Sequence, residues 1–124
     1  MILGIGCDLI EIARIERAIE RNPHFFERVY TPEEREYIAS KRVETAAGLF
    51  AAKEAVAKAL GTGFRGFLTD SIRILPDELG RPCCTLSGGA LKRARELGVT
   101  NIHVSVTHTQ MTAAAFAVAE GGGA

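Results

Sequence analysis

The spacing of apolar positions changes period several times along the chain, and each change marks an element. Residues 2–7 alternate weakly and read as a short strand ending at Asp8, with Gly4 and Gly6 leaving room for close backbone packing. Residues 9–22 switch to helical spacing. Ile12, Ile15 and Ile19 recur at steps of three and four and form an apolar stripe. Arg14, Arg17 and Arg21 form a second, basic stripe, with Glu11, Glu16 and Glu20 elsewhere on the surface. Asn22-Pro23 ends this helix, because a residue before proline disfavours the α region. Phe25, Phe26, Val29 and Tyr30 then make a compact apolar cluster. Thr31-Pro32-Glu33-Glu34 predicts a helix start, with Thr31 as cap, Pro32 in the first turn and Glu34 completing a capping box. That helix runs to about Lys41 or Arg42. An alanine-rich stretch over about 44–60 predicts the longest helix, stopped by Gly61 and Gly63.

After a loop from Thr62 to Asp70, residues 71–75 and 82–86 read as two strands joined by turn chemistry at Pro76 to Gly80. Ser87 is a candidate cap for a helix over 88–97 that Gly98 closes. Ile102, Val104 and Val106 alternate with His103, Ser105 and Thr107, the pattern of a half-buried strand. A turn at Thr109-Gln110-Met111 leads into a buried strand over 112–119, and the last five or six residues, to Ala124, read as a frayed tail. Helices mixed with largely antiparallel strands give an α+β class, in one small domain.

Composition narrows the function classes. With 124 residues the core is modest, and association with further copies would add to its stability. Lys plus Arg equals Asp plus Glu at 15 each, which argues against a general nucleic-acid binder. No apolar run approaches the ~18 residues of a membrane span, and the first residues have no basic segment of the kind that opens a signal peptide. Three cysteines, two of them adjacent, make no disulfide framework. Cys7, Cys83 and Cys84 read as small core fillers in a reducing cytosol, and without C-x-x-C spacing a zinc site is not expected.

Several residues carry possible chemistry. Asp8 lies just past a strand and Glu54 inside an apolar helix. If the two elements pack together, the carboxylates converge, and two carboxylates plus substrate phosphates is how Mg²⁺ is usually held. The alternative is a surface pair between Glu54 and Lys58 at i,i+4. Lys53 and Lys58 lie about 140° apart around the helix, so they do not share a narrow face. One serves phosphates, or both are solvated. Gly61-Thr62-Gly63 resembles a phosphate cradle but sits at a helix C-terminus, where the dipole repels anions. His103, Ser105 and Thr107 share a strand face that is either solvated or suited to phosphate or ribose, with His108 beside it. The arginine stripe suits an acidic partner, or is a solvated face paired with its own glutamates.

Taken together, Gly4-Ile5-Gly6-Cys7-Asp8-Leu9-Ile10-Glu11, Phe50-Ala51-Ala52-Lys53-Glu54-Ala55 continuing through Lys58 to Gly61-Thr62-Gly63, and His103-Val104-Ser105-Val106-Thr107-His108-Thr109 resemble the holo-acyl-carrier-protein synthases. These are the small bacterial type of 4′-phosphopantetheinyl transferase. Arg28 with Thr31 and Glu34, and Gly80-Arg81-Pro82, fit the same pattern. The resemblance implies transfer of the phosphopantetheine arm of coenzyme A to a serine of apo-acyl carrier protein, with adenosine 3′,5′-bisphosphate released. It implies a cytoplasmic, Mg²⁺-dependent homotrimer of fatty-acid biosynthesis, with active sites at subunit interfaces. It implies Asp8 and Glu54 as metal ligands and Lys58 on the pyrophosphate; for this reaction the serine proton goes to a carboxylate, with Glu54 the side chain named, or to a metal-bound water. Lys53, Gly61, Gly63, His103 and Thr107 fall on the coenzyme A side, and Arg14, Arg17 and Arg21 on the carrier-protein docking surface. One departure stands out: the family often has arginine where this chain has Leu49, leaving Arg42, Arg65 or Lys53 to supply that charge. No family role attaches to the Cys83-Cys84 pair. A metal-dependent nucleotide phosphohydrolase and a non-catalytic trimeric binding module are the competing readings.

Overall fold

A computed structural model describes residues 1–122. One antiparallel sheet of five strands, in the order β1-β5-β4-β3-β2, is crossed on one face by a long helix. The strands are β1 (Ile2–Glu11), β2 (Ile72–Pro76), β3 (Pro82–Leu86), β4 (Val99–His108) and β5 (Thr112–Gly121). The helices are α1 (Ile12–Arg21), α2 (Pro23–Val29), α3 (Pro32–Ala39), α4 (Val43–Ala59) and α5 (Gly88–Leu97), with a single 3₁₀ turn at Thr69–Ser71. The α+β class and the antiparallel sheet agree with the sequence pattern.

Alternation in β1 sorts its side chains. Gly4, Gly6, Asp8 and Ile10 turn toward α4, while Ile5, Cys7 and Leu9 stand on the outer, exposed face. The packing against α4 is backbone to backbone. A Cβ on Gly4 would lie 1.9 Å from Ala59 O, and one on Gly6 would lie 2.0 Å from Ala55 O. Only glycine permits this approach. Ala113, Ala115, Ala117 and Ala119 of β5 face the same helix and are buried with Ala51, Ala52, Ala55 and Ala59 of α4. Small side chains on both layers draw helix and sheet together. Helix α4 is buried on most of its circumference, so its sequence is apolar nearly all round rather than striped.

Three boundaries depart from the sequence pattern. The first helix starts at Ile12, not at residue 9, because β1 stays paired with β5 as far as Glu11 opposite Thr112. Cross-strand pairing overrides the helical spacing there. The cluster at 25–30 is itself a helix, α2, capped by Asn22 Oδ1 accepting from His24 N at 3.1 Å. The last strand runs on through Glu120, opposite Ile2 and Asn101, to Gly121, so fraying does not begin at 119 or 120. Residues 123–124 of the expected tail lie outside the described residues. The capping box at Thr31 and Glu34 forms as the pattern predicts. Ser87 takes the N-cap position of α5 as expected, but its side chain does not cap: the hydroxyl donates to Ser71 O at 3.4 Å.

Candidate active site

Where α4 crosses β1, three charged side chains meet. Asp8 comes from the sheet, Glu54 and Lys58 from the helix. Lys58 Nζ donates to Asp8 Oδ1 at 3.3 Å and to the Cys7 carbonyl at 3.0 Å. An ammonium has three protons, so one stays available for a ligand. Lys58 therefore reaches across to β1 rather than back to Glu54, and the i,i+4 surface pair does not form. Asp8 and Glu54 line one cleft of about 340 Å³ with Arg14, Ile15 and Phe50 on its walls. Burial, and after it the Asp8 carboxylate, hold the Glu54 carboxyl above the usual carboxylate range, and Lys58 pulls the other way. Two carboxylates kept together at this cost suit a cation between them. Among the described residues, no three His, Cys, Asp or Glu side chains group as a metal cluster. The donor set is thus two carboxylates open to a ligand's own oxygens, the pattern of Mg²⁺ sites completed by phosphate and water.

The other predicted residues separate. Lys53 is neither solvated nor free for a phosphate. It is fully buried, paired with Glu34 at 2.6 Å, and donates also to the carbonyls of Thr69 and Ile72. All three ammonium protons are taken inside the chain. The expectation that Lys53 contacts coenzyme A is therefore corrected. Its partner Glu34 was legible as a capping residue and as part of the family pattern, but not as a buried counter-ion. Gly61 N donates to Lys58 O at 2.9 Å and Gly63 N to Ala57 O at 3.1 Å, so both amides close α4. Gly61 holds φ +84°, the left-handed value of a helix stop. Neither amide is left to cradle a phosphate, so the phosphate-cradle reading of this segment gives way to the helix stop.

His103 and Thr107 sit on the outer face of β4, exposed, with Ser105 between them. His103 Nε2 meets Glu120 Oε1 at 3.0 Å. Asp8 faces α4 on the opposite side of the sheet and two strands away, so one chain does not bring these groups to the carboxylates. Arg14, Arg17 and Arg21 are exposed on α1, and among the described residues none is in an ion pair. Only Arg14 reaches the carboxylate cleft.

A second cavity, of about 220 Å³, lies between α3, α4 and the β2–β3 hairpin. Leu49 lines it with Tyr37, Glu44 and His108. Arg42 lines an adjoining cavity that shares Glu44 and His108, whereas Lys53 is committed elsewhere. The sequence signalled His108 as a neighbour of the polar strand face and within the family motif, without placing it in this cavity, and gave no sign of Tyr37. Cys7 and Cys83 are exposed on their strands rather than filling the core. Cys84 packs inward, and burial pushes its thiol up to about 12.

Residues 4–118 match the model of the 4′-phosphopantetheinyl transferase superfamily. The chain is 49% identical over 122 residues to a holo-[acyl-carrier-protein] synthase of Clostridium novyi, covering 97% of this chain and 88% of that one. It superposes with a TM-score of 0.88 on the holo-[acyl-carrier-protein] synthase of Neisseria meningitidis, at 39% identity over 97% of this chain and 99% of the other. The corresponding figures for a Bacillus anthracis holo-(acyl-carrier-protein) synthase solved in complex with CoA (3′,5′-ADP) are 0.82, 34%, 98% and 99%.

Proposed function

The chain belongs to the 4′-phosphopantetheinyl transferase superfamily, and from that membership we propose that it moves the 4′-phosphopantetheine arm of coenzyme A to a serine hydroxyl of an apo-acyl carrier protein. The serine oxygen bonds to the phosphorus bearing pantetheine. The bridging P–O bond breaks, and adenosine 3′,5′-bisphosphate leaves with the electron pair. The observation that carries this reading is the meeting of Asp8, Glu54 and Lys58 where α4 crosses β1.

Phosphoryl transfer needs placement and charge neutralisation more than covalent help from the protein. Lys58, oriented by Asp8 and the Cys7 carbonyl, presents its remaining proton to the pyrophosphate and its leaving oxygen. Glu54 is the side chain placed to receive the serine proton. Asp8 and Glu54 would hold Mg²⁺, which when bound supplies Lewis acidity and a template for the phosphates.

An exposed apolar sheet face supports association with further copies, and the resemblance makes the assembly a homotrimer. Ile5 is 71%, Leu9 70% and Phe116 58% exposed on the face opposite α4. The chain exposes 7442 Å², against about 6,500 Å² for a compact monomer of its mass. His103 and Thr107 lie on this same outer face, so a coenzyme site between subunits, as in the resemblance, would draw them from a different copy than the one supplying Asp8 and Glu54. The exposed arginines of α1, beginning at the cleft with Arg14, suit an acidic carrier protein of fatty-acid synthesis. The cytoplasm is the matching compartment, and no helix among the described residues is long and apolar enough to cross a membrane.

Glu54→Gln tests the assignment. It should lower kcat by about 10²–10⁴, the usual worth of a general base, with the fold intact by circular dichroism. Undiminished transfer would remove Glu54 from the reaction.

A further inference from the structure

The most deeply buried charges in the molecule take no part in the transfer just described. Glu34 and Lys53 are both fully buried and 2.6 Å apart. Lys53 Nζ donates to Glu34 Oε1, to Thr69 O at 3.1 Å and to Ile72 O. Glu34 Oε1 also accepts from Thr31 N at 2.8 Å, and Oε2 accepts from Ile74 N at 2.7 Å. Two side chains thus tie together the start of α3, the middle of α4, the 3₁₀ turn and β2. Tyr30 closes over the ammonium with its ring centroid 6.0 Å away, and its hydroxyl donates to Ala46 O of α4 at 2.7 Å.

Stability alone is a poor reason for such a pair, because apolar groups of the same volume often serve a core as well or better. What the pair adds is fixed geometry. Lys53 directly precedes Glu54, and Lys58 follows about 140° further round the helix. The sheet side of α4 rests on Gly4 and Gly6, and Lys53 anchors a second side. A roll of about 10° would move a side-chain end by about 1 Å at the ~5–6 Å radius of a helix. Displacements of that size cost reactions about 10² in rate.

We propose that Glu34 and Lys53 are positioning residues for the transfer reaction: a buried strut that fixes the roll of α4 and so aims Glu54 and Lys58 at Asp8. The inference rests on the roles given to Glu54 and Lys58 above.

The double variant Glu34→Gln, Lys53→Met removes both charges with little change of shape. kcat is expressed per folded molecule, counted by near-UV circular dichroism, with trimethylamine N-oxide added to favour folding. If the double variant still unfolds, Glu34→Asp, which keeps both buried charges and shortens the strut by one methylene, is measured in its place. The expected result is a kcat about 10²-fold lower with an unchanged KM for carrier protein, since the α1 surface is not part of the strut. Binding of Mn²⁺ alone, followed by electron paramagnetic resonance without substrates, should weaken about tenfold per folded molecule, on the same misplacement argument. A role confined to stability would change the folded fraction and neither of these. A folded variant with wild-type kcat, or one whose loss falls on the carrier-protein KM, overturns the proposal. Glu54→Gln in the unaltered background is the control: if it keeps full activity, the underlying reading fails and the strut is not at fault.

Discussion

Burial and the Asp8 carboxylate act on Glu54 in the same direction, so its carboxyl keeps a proton to higher pH in the folded chain than in the unfolded one. The linkage has a definite sign. Stability from this group is full below the ordinary carboxylate pKa and is lost as pH rises through the raised folded value. Without metal, the wild type should therefore lose thermal stability relative to Glu54→Gln as pH rises through that window. Added Mg²⁺ should reverse the loss. Melting curves of the two proteins across pH check this, and parallel curves would contradict it. Residue chemistry was only partly legible beforehand. Asp8 and Glu54 were visible as charges in apolar settings. Lys53 and Lys58 looked alike, because what separates them is distant in sequence: Glu34 on α3 captures one, and the β1 backbone captures the other. The amides of Gly61 and Gly63 likewise went to closing the helix, the plainer of the two readings open for that segment.

Helix α4 and strand β1 form the smallest unit that makes the site. Their contact is set by two glycines, and a side chain at either would force the helix away from Asp8. Gly6→Ala places a methyl 2.0 Å from Ala55 O, in a contact that backbone cannot easily yield. Overpacking of this kind costs about 1–3 kcal/mol, or about 4–8 °C per kcal/mol in a domain near this size. The melting temperature should fall accordingly, and kcat should fall further than stability alone explains, because Glu54 and Lys58 move with the helix. A stable Gly6→Ala protein with normal kcat would contradict the argument. Element types were mostly readable from periodicity: α3 with its capping box, α4, the β2–β3 hairpin, α5 and the last two strands. The β1–α1 boundary was misplaced because Leu9 and Ile10 suit either period, and pairing with β5 decides between them. Helix α2 was hidden inside an aromatic cluster whose packing said nothing about its backbone.

The sheet of the whole molecule has one covered face and one open face, and its core is built largely from alanine. Small side chains let α4 lie close but bury little area each, so the open face with Ile5, Leu9 and Phe116 is where further stability is available. Phe116→Glu should convert the proposed trimer, read by sedimentation velocity, into monomers and abolish transfer. Monomers with full activity would place the whole site within one chain. Fold class and family motifs were legible from the sequence, but which face stays open was not, since alternation marks both faces of a β-strand without saying what covers them. The most direct measurement is the intact mass of an apo-acyl carrier protein incubated with this protein, coenzyme A and Mg²⁺, alongside a sample containing EDTA. The account predicts one added phosphopantetheine that EDTA prevents. An unchanged mass for several carrier proteins with the folded protein, or a gain that EDTA leaves intact, would contradict it.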